Sequence, residues 1–238
     1  MEILKGKNVL IAGATGGIGS KAAKLIAGSG AHVFITGRNA EQLNRVAAEC
    51  SIPEAQAFIM DLSDADSVNE TIQTIIDRGI ELDIVVNAAG IGIIKPMESL
   101  TTEDLVKTLN ANLVGPFNLV KAVLPGMKTR KKGLVINIPG VLGKVPMAGA
   151  AAYSASKYGL TGMMQSIREE LKRTDIRITN LFLGGVDSPF WDSIDLRVQK
   201  DKMIVAEEAA KAIWFLCQQP VSGVVSEMVL QPFNHQAI

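Results

Sequence analysis

Short apolar runs bounded by glycine, proline, asparagine or aspartate recur along this chain. Between them apolar residues return every three or four positions. The first pattern reads as buried strands, the second as amphipathic helices. Strands are predicted at 8–12, 31–36, 56–60, 82–86, 134–138, 177–183 and 224–230. The first helix carries Ala22, Ala23, Leu25 and Ile26 on one face. Thr101 with Asp104 approximates a capping box that opens a helix running toward Lys128. Another helix starts near Ala151, and the last covers 206–218. Strands and helices that alternate at this spacing predict an α/β fold, a doubly wound parallel seven-stranded sheet with helices on both faces. Residues 1–238 read as one domain without repeats or linkers, with a lid-like segment at about 187–205.

In such a sheet, ligands lie at the carboxyl ends of the strands. The polar and glycine features gather there. The first strand runs into Gly13-Ala14-Thr15-Gly16-Gly17-Ile18-Gly19 and then into a helix. Missing Cβ atoms and a helix N-terminus at that turn suit a dinucleotide pyrophosphate. The second strand ends in Gly37-Arg38-Asn39, where an acid would bind a free ribose 2′-hydroxyl; Arg38 suits a 2′-phosphate instead, so NADP(H) is expected ahead of NAD(H). Asp61-Leu62 closes the third strand as an edge of the adenine pocket, and Asn87-Ala88-Ala89-Gly90 leaves room after the fourth. Asn112 is a poor interior helix residue and implies a local break or a required polar contact. Tyr153 and Lys157, four apart on a helix, share one face, where the ammonium can lower the phenol's pKa and favour the phenolate. Phe190, Trp191, Ile194, Leu196 and Val198 lie among charged residues in the lid segment and bias the substrate toward an apolar one.

Charge narrows the classes. The 24 Lys and Arg residues balance the 24 Asp and Glu, so no overall field draws the protein to nucleic acid or an anionic membrane. The run Arg130-Lys131-Lys132 reads as a solvated helix end. No apolar run is long enough to cross a bilayer, and the N-terminus lacks a secretory pattern, so the cytoplasm is expected. Two histidines, His32 and His235, far apart and without cysteine pairs, read as structural or surface residues and give a zinc site no support. The glycine turn lacks the Gly-Lys-Ser/Thr of a nucleotide triphosphatase.

Taken together, Ala12-Gly13-Ala14-Thr15-Gly16-Gly17-Ile18-Gly19, Asn87-Ala88-Ala89-Gly90, Asn112 and Tyr153 with Lys157 resemble the motifs of the short-chain dehydrogenase/reductase family over nearly the full length. The resemblance implies a Rossmann fold and hydride transfer between NADP(H) and a carbonyl or alcohol substrate. It implies that Tyr153 is the general acid/base, with Lys157 and Asn112 as its catalytic partners. The cofactor would meet Gly13, Thr15, Gly16, Gly17, Ile18, Gly19, Arg38, Asn39, Asp61, Leu62, Asn87, Ala88, Gly90, Tyr153, Lys157, Gly184, Val186 and Ser188. The substrate would meet Ile93, Gly140, Val145, Phe190 and Trp191. A homodimer or homotetramer is implied, with the helices starting near Thr102 and Ala151 at one interface. Two positions depart from the family pattern: Gly140 stands where the catalytic serine is expected, and Leu183-Gly184 replaces the usual Pro-Gly. Gly140 keeps open an alternative, an NADP(H)-binding sensor or partner subunit without turnover.

Overall fold

The computed structural model describes residues 3–220 and 222–234; His235 lies outside the described residues. Seven parallel strands form one sheet: β1 (Asn8–Ala12), β2 (His32–Gly37), β3 (Ala57–Ile59), β4 (Ile84–Asn87), β5 (Lys132–Asn137), β6 (Asp175–Leu183) and β9 (Glu227–Leu230), in the order β3-β2-β1-β4-β5-β6-β9. A separate parallel pair, β7 (Val186–Asp187) and β8 (Ile204–Val205), clasps the base of the lid segment. The helices are α1 (Gly17–Ala27), α2 (Ala40–Glu49), α3 (Ala65–Asp77), α4 (Thr102–Leu109), α5 (Gly115–Arg130), α6 (Ala151–Glu170) and α7 (Ala206–Leu216).

Alternation along the strands builds two cores. Val9, Ile11, Val33, Ile35, Val86 and Ile136 pack with α1, α2 and α7. Leu10, Ala12, Phe34, Val85, Val135 and Ile178 pack with α3, α5 and α6. Both faces are therefore dry, as an all-parallel sheet requires. The strand order reverses between β1 and β4, which opens a crevice at their carboxyl ends.

The predicted elements differ from the observed ones mainly at their ends. The last strand begins at Glu227, not 224, and the fourth at Ile84, not 82. The basic run is not simply a helix end: Arg130 closes α5, Lys131 is its left-handed cap at φ 54°, and Lys132 opens β5. His32 is exposed at the start of β2. The Thr101 capping box is complete, with Asp104 answering the Thr101 amide. The expected break at Asn112 is a π-helical turn, Asn110–Val114, joining α4 to α5. Its cause is local, because the α-helical partner of the Asn112 carbonyl would be the nitrogen of Pro116, which has no hydrogen. No helix among the described residues is long and apolar enough to cross a membrane.

Candidate active site

Glycines shape the turn after β1 by close approach. Gly13 has φ 80°, and a Cβ there would come within 2.6 Å of the Ala89 nitrogen. The turn after β1 therefore rests directly on the loop after β4. At Gly19 an added Cβ would stand 2.3 Å from the Gly13 carbonyl oxygen, and Gly37 leaves room for the Thr15 methyl. Behind Gly16, α1 starts with no side-chain cap and no acid in its first turn. Its leading N–H groups and positive dipole end thus lack an internal counter-charge. Gly13, Thr15, Gly16, Gly17, Ile18 and Gly19 fit an anionic dinucleotide phosphate on these grounds.

Arg38 follows β2, is exposed, and has no ion-pair partner among the described residues. Across from it the Ser63 hydroxyl and amide hold the Asp61 carboxyl below the usual carboxylate range, and the Arg38 charge adds to the effect. Leu62 is buried, and its carbonyl accepts from Asn118 Nδ2 at 3.0 Å. Asn39 caps α2, accepting from the Gln42 amide at 2.9 Å, so its side-chain oxygen serves the helix. Ala88 donates its amide to Ala12 at 2.9 Å. Asn87 sits at the buried end of β4 and donates to Asn137 Oδ1 at 3.2 Å.

The third cluster combines β4, the π turn and α6. Asn112, fully buried, accepts from the Ile91 amide at 2.9 Å and donates to the Ile91 carbonyl at 2.9 Å and to Ser156 Oγ at 3.0 Å. Ser156 in turn donates to the Tyr153 carbonyl at 2.7 Å. The amide of Asn112 is thereby a clamp between the loop after β4 and the helix of Tyr153. At Gly90 an added Cβ would meet Asn112 Oδ1 at 3.1 Å and Lys157 Nζ at 3.4 Å, so three distant segments converge on that glycine.

Lys157 donates to the Ile138 carbonyl at 3.0 Å, and its Nζ lies 5.5 Å from the centroid of the Tyr153 ring. Burial pushes its ammonium down to about 8. Burial also pushes the Tyr153 phenol well above its ordinary value. The expectation that Lys157 lowers the phenol is therefore not met by the protein's own groups: desolvation raises it, and the Lys157 ammonium lies over the ring without a hydrogen bond to the hydroxyl. Tyr153 remains partly exposed, at the crevice surface.

Gly140 sits in the loop between β5 and α6 at φ 69° and ψ 170°, a conformation open essentially to glycine alone. The backbone thus departs from what a serine adopts, and the hydroxyl is not merely trimmed away. Ser156 is engaged as above, and Ser154 Oγ is buried without a hydrogen-bond partner. Lys95 donates its amide to the Gly149 carbonyl at 2.7 Å, which lays the loop of Ile93 beside the loop of Val145. Val145 itself donates to the Val141 carbonyl at 3.0 Å.

Over these loops lies the lid. Trp191 Nε1 and Ser188 Oγ both donate to the Val186 carbonyl, at 2.8 and 3.4 Å. Gly184 donates to the Leu230 carbonyl at 2.8 Å. The Phe190 ring stands 5.7 Å from that of Tyr153 and 5.2 Å from that of Trp191. Thr15, Gly17, Ser188, Pro189 and Lys200 border a cleft of about 570 Å³ beside the glycine turn. A larger open groove of about 710 Å³, bordered by α3 and Ala122, touches none of these residues, so chemistry and not volume identifies the site.

Residues 7–199 match the short chain dehydrogenase family. The chain belongs to that family. Sepiapterin reductase of Chlorobaculum tepidum is 30% identical over 233 residues, covering 94% of this chain and 95% of the relative. The crystal structure of a metagenomic short-chain oxidoreductase in complex with NADP is 30% identical, with a TM-score of 0.84 over 97% of this chain and 98% of the other. An alcohol dehydrogenase of the archaeon Thermococcus sibiricus, complexed with 5-hydroxy-NADP, is 26% identical, with a TM-score of 0.87 over 98% and 99%.

In this short-chain dehydrogenase three participants are not evident from sequence. Ile91 offers only its backbone to Asn112, and no side-chain pattern announces that. Gly92 is visible as the second glycine of Gly90-Ile91-Gly92, but its use depends on the lid. Lys144, 2.6 Å from Glu227 of β9 and 4.4 Å from the Phe182 ring centroid, ties the Gly140 loop to the sheet edge across 83 positions.

Proposed function

We propose that this chain is an NADP(H)-dependent oxidoreductase interconverting a carbonyl and an alcohol, with Tyr153 as general acid/base. The observation that carries the reading is the convergence of Gly90, Asn112 and Lys157 beside Tyr153, next to an uncapped glycine turn that fits a dinucleotide phosphate. A bound nicotinamide dinucleotide supplies the hydride. Tyr153 gives its phenolic proton to the carbonyl oxygen in reduction and takes it back in oxidation. The phenol carries its proton at neutral pH, and burial disfavours its loss, which suits the proton donor in reduction. Lys157, anchored on the Ile138 carbonyl, holds positive charge over the tyrosine ring as the phenolate forms. Asn112 positions the Gly90–Gly92 loop and α6 relative to one another. Arg38 takes the 2′-phosphate, and the NADP-bound structures of two relatives support that preference.

The retained Tyr153 and Lys157 place this reading above a cofactor-binding protein without turnover. NADPH oxidation is measured across a panel of aldehydes and ketones. Turnover should exceed that of Tyr153→Phe by about 100-fold or more. A panel with no turnover above that variant refutes the assignment.

The assembly belongs to the same proposal. Val106, Val114, Phe117 and Tyr158 are exposed on the α4–α6 side, and Phe215, Val224, Val229 and Phe233 near α7 and β9. Two such apolar sets support a homotetramer, which light scattering of Phe117→Glu and Val229→Glu would reduce to smaller species. Two free thiols, Cys50 and Cys217, fit a reducing cytoplasm.

A further inference from the structure

Two consecutive lid residues each rest on a glycine, one at the start of α1 and one in the loop after β4. A Cβ at Gly17 would fall 2.9 Å from Pro189 Cδ. A Cβ at Gly92 would fall 2.3 Å from Phe190 Cζ, 2.8 Å from its Cε2 and 3.0 Å from Ile194 Cδ1. Gly92 is not among the positive-φ glycines. The backbone there would accept any residue, so the room left at position 92 is room for the Phe190 ring. That ring also stands 5.7 Å from the ring of Tyr153. It fills space that a group attached to a carbonyl at Tyr153 would otherwise take. At Gly140 itself no side chain projects, and a Cβ there would have only the Leu183 carbonyl oxygen near it, at 3.4 Å. The site is thus filled by the lid at Gly92 and left open at Gly140.

The geometry points to Phe190 as a specificity-determining residue, with Gly92 as its seat. It restricts the substrate to carbonyl compounds that carry one small arm, a hydrogen or a methyl, on the Phe190 side and their bulk elsewhere. This rests on the proposed carbonyl chemistry of Tyr153. Aldehydes and methyl ketones are therefore favoured over ketones with two large arms. A hydrophobic pocket discriminates about 10-fold or more per methylene.

The test compares native protein, Phe190→Ala, Gly92→Ala and the double variant on phenyl methyl ketone and phenyl propyl ketone with NADPH. Phe190→Ala should raise the ratio of kcat/KM for the propyl over the methyl ketone at least about 10-fold. Gly92→Ala should shift the ratio in the native background, because its Cβ displaces the ring. It should have no further effect once Phe190 is alanine. Binding of the unreactive amides N-phenylacetamide and N-phenylbutanamide is measured in parallel. The protein for this arm is the Trp214→Phe, Tyr153→Phe background with NADPH, read by Trp191 fluorescence. The same change in selectivity is expected there without any chemistry.

Turnover by the native protein with an unchanged ketone ratio in Phe190→Ala overturns the inference and leaves the carbonyl reading intact. Equal effects of Gly92→Ala in both backgrounds also overturn it. Absent turnover with shifted amide selectivity removes the carbonyl reading and upholds the steric role of Phe190. Absent turnover with amide binding unmoved or unmeasurable in Phe190→Ala overturns both.

Discussion

Replacing Gly140 by serine restores a hydroxyl at the position where the family pattern places one, and the backbone conformation there governs both its stability cost and its chemical use. At φ 69° and ψ 170° a residue other than glycine is strained by about 1–3 kcal/mol. Crowding adds little, since the new Cβ would meet only the Leu183 carbonyl oxygen at 3.4 Å. In a chain of 238 residues each kcal/mol lowers Tm by about 2–4 °C. Gly140→Ser and Gly140→Ala should therefore both melt roughly 2–12 °C below the native protein. The same carbonyl oxygen is the nearest acceptor for the added hydroxyl. A serine bonded to Leu183 is not free to donate to a substrate. The gain in kcat should stay under about 10-fold, against the 100-fold or more, about 3 kcal/mol, that a preorganised donor supplies. Circular-dichroism melts and steady-state NADPH oxidation of the three proteins check this, the alanine variant separating strain from hydroxyl chemistry. A 100-fold gain for serine with Tm unchanged in both variants would show that the loop is not held in the glycine-only conformation, and the reasoning would fail.

Arg38→Asp should raise the NADPH dissociation constant about 10- to 100-fold, the worth of a charge-assisted phosphate contact, and move NADH little; calorimetric titration of both cofactors checks it, and equal effects remove the argument for NADP(H). Lys157, pushed down to about 8 in the fold, binds its proton less tightly than in the unfolded chain, where it titrates near its ordinary value of 10.5. Between those values the unfolded chain holds more protons, so stability should rise with pH from about 8 to 10.5 as the cost of a buried charge is relieved. Urea midpoints across that range should lose this rise in Lys157→Met, and an identical slope in both proteins counts against the burial argument. Asn112→Ala strands the Ile91 amide and carbonyl together, at a cost of about 1–3 kcal/mol each. A melting temperature within 2 °C or so of native would mean that water replaces the clamp.

Local chemistry determined much of this protein from the sequence alone. Runs of Val, Ile and Leu specify strands, spaced alanines and leucines specify helices, and alternation of the two leaves few topologies besides a doubly wound sheet. Within single turns, Gly19 against Gly13, Thr101 with Asp104, and the shared helix face of Tyr153 and Lys157 were equally legible, because these partners are neighbours in the chain. Asn112 announced a helix defect by its own poor propensity, and Pro116 supplies the cause. Its partner Ile91 stayed hidden because it contributes only backbone, 21 positions away. The lid residues Phe190 and Trp191 were visible as apolar outliers, but that Phe190 needs Gly92 is a contact between two loops on different strands. Only the tertiary structure could decide the sign of the Tyr153 shift, since desolvation depends on everything that surrounds the ring and not on one lysine a turn away. It also decided Gly140. A sequence can show that a serine is missing, but the φ of the residue in its place is set by how β5, α6 and the end of β6 close around that loop.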